Sequence, residues 1–453
     1  MTIRTTNPTT AKPLEEFALD DDGVVDSKLE RAADAAGDWS EAGFDTRRDV
    51  LLAVADGLRE RGEDLARRMT AEMGKPVEEA RGEVEKCAWV CDYYADHAEQ
   101  FLQFEPIETD ARRSGVRHEP LGPILAVMPW NFPFWQVFRF AAPNLMAGNV
   151  GLLSHAPNVP GCAEAIEGLF EAAGAPDGVF TNLVVDEEQT RRIIRDDRVR
   201  GVTLTGSVGA GSAVAEVAAS EIKPTVLELG GSDPFVVLED ADLESTVREA
   251  VRARTLNSGQ SCIAAKRFVV EESVFEPFLD VFEERMSGLA VGDPMDEETD
   301  IGPIARDDLL DQLARQVDES LEMGARAVVG GERLDRAGHF YPPTVLTDVD
   351  RDMPVFAEET FGPVAAVVSA EDVDEAVELA NDTSYGLGAS VWTDRERGEE
   401  LVGRLEAGHV AVNGIVKSDP RLPFGGIGES GYGRELGREG ILEFVNKKTV
   451  WIG

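Results

Sequence analysis

The chain has 453 residues, 43% of them hydrophobic, and 44 basic against 86 acidic side chains give it a formal charge of −42. That length exceeds one simple core and predicts two or three domains, while so acidic a balance excludes non-specific nucleic-acid binding. No stretch reads as a membrane helix, the opening Met1–Thr6 segment lacks an apolar signal core, and Cys87, Cys91, Cys162 and Cys262 are too scattered for a disulfide framework; a cytoplasmic protein is expected.

The acids run along the whole chain rather than gathering in a tail, and arginine outnumbers lysine among the cations. Such a surface suits a protein kept soluble in concentrated salt, where self-repulsion is screened, so adaptation to high salt is expected. No metal site is expected: Cys87 and Cys91 share a helix face near His97, but Trp89 and Tyr93 beside them speak for core packing.

Apolar residues at three- and four-residue spacing predict helices over 26–35, 45–61 and 63–73, and a longer one over 77–101 after Gly74-Lys75-Pro76. Residues 105–119 read as an extended polar ribbon of the kind used for subunit contact. From Gly122 the rhythm becomes strand, turn, helix. Strands are predicted at 124–128, 149–153, 179–185, 200–204 and 225–229, with helices after each of the first two, the first ended by Pro143, and at 212–219. Short links between alternating strands and helices imply a doubly wound α/β sheet. The second half repeats the pattern, with strands at 234–238, 267–271, 327–329, 344–346, 364–368 and 389–392 and helices at 243–256 and 274–289. Residues 206–211 join a strand to a helix, the context in which a glycine turn cradles phosphate, although the spacing is not a strict dinucleotide fingerprint.

One cysteine stands apart. Cys262 follows the small polar loop Asn257-Ser258-Gly259-Gln260-Ser261, and a thiol does chemistry as a thiolate in a partly open, polar setting. By itself it reads as structural. Pro129–Pro133, Gly206–Gly211, Glu228–Gly231, Gly259–Cys262, Glu358–Val364 and Phe424–Gly437 change that, because in identity, order and spacing they resemble the aldehyde dehydrogenase superfamily over essentially the whole chain. The stretches 130–149, 155–162, 228–235 and 264–268 resemble its succinate-semialdehyde dehydrogenase branch, whose members use NAD or NADP.

The resemblance implies a Rossmann-type cofactor domain (1–103 and 125–229), an α/β catalytic domain (230–424) and an oligomerisation ribbon with C-terminal tail (104–124 and 425–453) in a homodimer or homotetramer. It implies Cys262 as nucleophile, the Asn131 side chain with the Cys262 amide as oxyanion donors, and Glu228 as the base that activates water. For NAD or NADP it implies Trp130, Asn131, Ser154, Pro157, Gly206, Ser207, Gly211, Leu229, Glu359 and Phe361. The usual lysine after Leu153 is Ser154 here, and a glutamate common in NAD-preferring relatives is Pro157, so the cofactor preference stays open.

The substrate expectation rests on one helix. Asn131, Trp135 and Arg139 are spaced by four and share a face, with Arg139 about 12 Å of rise from Asn131. An arginine within Phe138-Arg139-Phe140 must find an anion, and a substrate carboxylate fits its fork of donors, with a structural salt bridge as the competing reading. Ser418, in the loop before Phe424, is a second candidate contact. The implied reaction is oxidation of succinate semialdehyde; the alternatives are glutarate semialdehyde, an aliphatic aldehyde, or a non-catalytic binding protein of the same fold.

Overall fold

The computed structural model describes residues 2–453. Two twisted sheets and a small ribbon carry the chain. In the first sheet the order is Gly431–Tyr432, Thr225–Glu228, Gly201–Thr205, Pro123–Met128, Val150–His155 and Phe180–Asn182, parallel except for the antiparallel Gly431–Tyr432 edge. The strands read as continuous apolar runs because helices cover both faces. Chain order reverses on either side of Pro123–Met128, which opens a crevice at the carboxyl ends of that strand and its neighbours.

The second sheet runs Arg326–Val329, Thr344–Thr347, Val364–Ala370, Ala265–Glu271, Asp233–Val237, Gly388–Trp392 and His409–Val412, with only the first strand antiparallel. Its side chains alternate between two cores. Phe235, Val237, Phe268 and Val270 pack on one face, and Val236, Leu238, Val269 and Val391 on the other, as the two-residue strand period requires. The third sheet is an antiparallel ribbon of Val445–Ile452, Arg113–Pro120 and Glu105–Pro106.

Three departures from the sequence reading have physical causes. The N-terminus forms a hairpin, Thr2–Asn7 with Lys12–Ala18, which the pattern does not announce. The first helix is longer than expected, Asp22–Glu41, because Asp21 caps it by accepting from the Gly23 and Val24 amides. Pro143 does not end its helix: Trp135–Ala147 runs through it and stops at Gly148 in the left-handed region. The helix is buried at every residue, and the Asn144 side-chain amide donates to the Phe140 carbonyl at 2.9 Å beside the proline, so packing outweighs the break.

Candidate active site

The cysteine turn is built by backbone that only dense packing holds. Asn257, Ser258 and Gly259 all have φ between 56° and 77°, a cost accepted where the surroundings over-determine the shape. A side chain at Gly259 would place its Cβ 2.3 Å from the Gly362 backbone, so glycine is required there. The loop is then locked from several sides. Asn257 Nδ2 donates to the Asn131 carbonyl at 2.7 Å and the Gln260 carbonyl at 3.0 Å, Glu79 accepts the Asn257 amide at 2.6 Å, and Arg254 donates to the Gly259 carbonyl at 2.7 Å. Lys266 closes the far side, its ammonium donating to the carbonyls of Ser261, Cys262 and Ala264 at 2.7–3.1 Å.

Cys262 is half-buried at the end of this turn, whereas Cys87, Cys91 and Cys162 are fully buried. Loss of water pushes its thiol up to about 12, while the positive charges of Arg139 and Lys266 pull the other way. Asn131 is buried beside it, and its Nδ2 donates to the Gln260 carbonyl at 3.2 Å. The helix that carries this wall begins against Glu83, whose Oε1 accepts the Phe134 and Trp135 amides at 2.9 Å each; Glu83 is itself ion-paired with buried Lys75.

Glu228 ends its strand 2% exposed, with neither carboxylate oxygen hydrogen-bonded. Burial and the nearby Glu435 carboxylate push it well above the usual range, against the pull of Arg139. The two glycines that follow have a reason in space. A Cβ at Gly230 would strike the Glu359 carboxylate at 2.5 Å, and one at Gly231 would strike the Cys262 carbonyl at 2.7 Å. Glu359 accepts the Gly231 amide at 3.0 Å and lies 3.9 Å from Lys266. Trp130 and Phe361 meet edge to face at 5.8 Å. Cys262, Lys266 and Glu359 thus lie together at the turn, reached from Glu228 through the Gly230-Gly231 step.

Beside them the crevice of the first sheet opens into a cavity of about 660 Å³. Ser154, Pro157 and Ser207 line it, with Ile3, Leu19, Val185 and Val214 as an apolar wall. Ser207 caps the Val208–Ser220 helix, which starts at this cavity and points its free amides there. Gly206 donates its amide to the Glu228 carbonyl. Gly211 departs from its expected role. It is not on the cavity wall; it makes room for Leu229, whose Cδ2 would lie 2.5 Å from an added Cβ. Apolar walls for an adenine, a helix N-terminus for phosphate and a carboxylate at Glu359 for ribose hydroxyls fit a nicotinamide dinucleotide. Arg191 also lines the cavity, has no ion-pair partner among the described residues, and follows Thr190, to which Ser154 Oγ is hydrogen-bonded at 3.3 Å.

The substrate helix needs a correction. The anion that Arg139 meets is in the chain: its guanidinium is ion-paired with buried Glu435, reaches Thr205 Oγ1 at 3.4 Å, and lies 4.6 Å from the Phe424 ring centre. A buried guanidinium has to be neutralised before any ligand arrives, and Gly433-Arg434-Glu435 supplies the partner across the site. Trp135 and Ser418 do meet, Trp135 Nε1 donating to Ser418 Oγ at 3.0 Å. Sequence reasoning missed Lys86, whose ammonium donates to the same oxygen at 2.8 Å and lies 4.2 Å from the Trp135 ring centre. Its signal, a lone lysine on a helix face rich in acids, is visible only once the loop at 418 is placed against it. Glu435 was likewise silent, since its partner Arg139 is distant in sequence, and Lys266 because its cage of neighbouring carbonyls exists only once the turn has folded.

A strained cysteine turn, a buried strand-end glutamate and a dinucleotide-shaped crevice together fit a dehydrogenase. The chain belongs to the aldehyde dehydrogenase family, whose model matches residues 1–450. It is 51% identical over 453 residues, covering 100% of both chains, to a probable succinate-semialdehyde dehydrogenase (NADP+) of Synechocystis sp.. It is 49% identical over 458 residues, again with 100% of both chains covered, to succinate-semialdehyde dehydrogenase (NADP+) 1 of Mycobacterium tuberculosis. Among solved structures it resembles the succinic semialdehyde dehydrogenase of Streptococcus pyogenes in complex with NADP+, with a TM-score of 0.97, 38% identity and 99% of each chain covered.

Proposed function

We propose that this protein oxidises succinate semialdehyde to succinate with NADP or NAD as the hydride acceptor. The observation that supports the chemistry is that Asn131 is hydrogen-bonded into the Cys262 turn while the charge of Arg139 acts on both Cys262 and the buried, unpartnered Glu228. The substrate is supported by the full-length relatives' names and by Lys86, a cation without an ion-pair partner that is hydrogen-bonded to Ser418 against Trp135.

Cys262 adds as thiolate to the aldehyde carbon, forming a thiohemiacetal whose oxygen takes hydrogen bonds from the Asn131 amide and the Cys262 N–H. A nicotinamide dinucleotide held by Ser154, Ser207 and Glu359 would supply the hydride acceptor for that carbon as it becomes a thioester. Glu228, once ionised, takes a proton from the water that attacks the thioester, and succinate leaves as the thiol is regained. The raised affinity of Glu228 for a proton is what a base needs in order to hold the proton it removes. Arg139, bound to Glu435, stays close enough to stabilise both the thiolate and the ionised Glu228; it is a positioning residue.

The protein works as a homodimer or homotetramer in the cytoplasm, joined through the ribbon, whose Ile107, Trp451 and Ile452 stay exposed. Its surface is adapted to high salt. No helix among the described residues is long and apolar enough to cross a membrane. A panel of succinate semialdehyde, glutarate semialdehyde and propanal, each with NAD and NADP in concentrated salt, tests the reading by reduced-cofactor absorbance. Succinate semialdehyde should exceed propanal in kcat/KM by at least about tenfold, the worth of one charge-assisted contact. Equal turnover of all three would remove the substrate assignment, and no turnover of any would favour a binding protein.

A further inference from the structure

Lys86 is a half-buried cation without an anion. The fully buried cations nearby are met inside the chain: Lys75 by Glu83, Arg139 by Glu435, Lys266 and Arg267 by cages of carbonyl oxygens, and Arg254 by the Gly259 carbonyl. The Lys86 ammonium has only Ser418 Oγ at 2.8 Å and the face of Trp135, and no carboxylate lies within ion-pair distance among the described residues. In a chain with 86 acidic residues, a half-buried ammonium left without an ion pair is a cost that a bound anion would relieve.

The hydroxyl beside it points to the same chemistry. Ser418 Oγ accepts from both Lys86 Nζ and Trp135 Nε1, so its own hydrogen is free to be donated. Two ammonium hydrogens and one hydroxyl hydrogen remain at one spot, against Trp135 at the start of its helix. That set matches the two oxygens of a carboxylate.

We propose that Lys86, together with Ser418, receives the distal carboxylate of the substrate and sets the preference for ω-carboxy aldehydes, while Arg139 remains with Glu435. This rests on the substrate reading above and names the group that enforces it. The occupied state also has a pH signature. Burial, helped by Arg139, pulls Lys86 down to about 8, against the weaker effects of Cys87 and Glu83 on its own helix and Asp419 in the loop. The lysine is charged below that value, so semialdehyde binding weakens as pH rises through it.

The test is Lys86→Met, which keeps length and packing, assayed with succinate semialdehyde and with butanal. KM for the semialdehyde should rise about ten- to hundredfold, the range of a charged hydrogen bond, with kcat and the butanal constants little changed. The ratio of the two KM values should climb above pH 8 in the unaltered enzyme and stay flat in the variant. Ser418→Ala should give a smaller shift in the same direction. Equal losses on both aldehydes in both variants, or a Lys86→Met enzyme that keeps its preference and its pH-dependent ratio, would overturn the assignment. An unaltered enzyme that does not prefer the semialdehyde at all would instead remove the substrate reading beneath it.

Discussion

At the scale of single residues, the cofactor cavity shows how one charge can be moved without changing the fold. A lysine at position 154 would reach into the cavity from the strand; Ser154 instead turns to Thr190 at 3.3 Å, and the next residue on that helix, Arg191, lines the same space. Asp186 and Glu187 also line it and repel a 2′-phosphate, so the cation decides whether NADP is held. Arg191→Ala should weaken NADP about tenfold more than NAD, and Ser154→Lys should tighten NADP more than NAD, by roughly the 1.5–3 kcal/mol of a charged contact before salt reduces it. Equilibrium titration of each dinucleotide, followed by tryptophan fluorescence, measures the ratio. A ratio that neither variant moves would show that the ribose end is read by other groups.

At the scale of elements, three glutamates from the N-terminal helices hold the pieces that bear the site. Glu72 accepts the Gly161 and Cys162 amides at 2.9 Å, Glu83 those of Phe134 and Trp135, and Glu79 that of Asn257 at the cysteine turn. Burial raises Glu79 to about 7, with Lys75 opposing. The sign follows from linkage. The folded state holds this proton where the unfolded chain, near its ordinary value, has released it, so stability is full below the unfolded value and falls as pH rises through about 7. Glu79→Gln keeps an oxygen for the Asn257 amide and removes the proton. Its urea midpoint should therefore fall less than that of the unaltered protein between about pH 5 and about pH 8 at fixed salt; parallel curves would mean that Glu79 is ionised throughout. This layer also marks the limit of what could be read from sequence. Strand and helix alternation, the cysteine, the strand-end glutamate and the aromatic Trp130 stood out because local pattern and motif spacing carry them. Glu79, Glu83, Lys86, Lys266 and Glu435 did not, because a buried charge takes its meaning from a partner that only the fold brings near. Arg139 was legible as a cation needing an anion, and only the fold could name Glu435. Pro143 and Gly211 misled for the same reason, the one absorbed by a fully buried helix and the other serving Leu229 rather than phosphate.

At the scale of the whole molecule, the charge of −42 sets how the protein answers to salt. With 44 basic residues for 86 acids, about half of the acids have no cation to meet even if every base is used once. The pairs that do form on the surface, such as Arg59 with Glu85 and Asp92 or Arg351 with Glu378 and Asp382, are individually worth only about 0–1 kcal/mol. Repulsion among the remainder therefore opposes the folded state in dilute buffer, and screening lengths of about 10 Å at 0.1 M against about 3 Å at 1 M say where it is relieved. Melting temperature should rise steeply with potassium chloride over the first molar or so and then flatten, because screening saturates once its length falls below the spacing of surface charges. A rise that continues evenly to higher concentrations would point to salt exclusion from the apolar surface instead, an effect that strengthens burial without reference to charge. A melting temperature indifferent to salt would sink the adaptation altogether, and would mean that the acids are spaced widely enough for water alone to separate them.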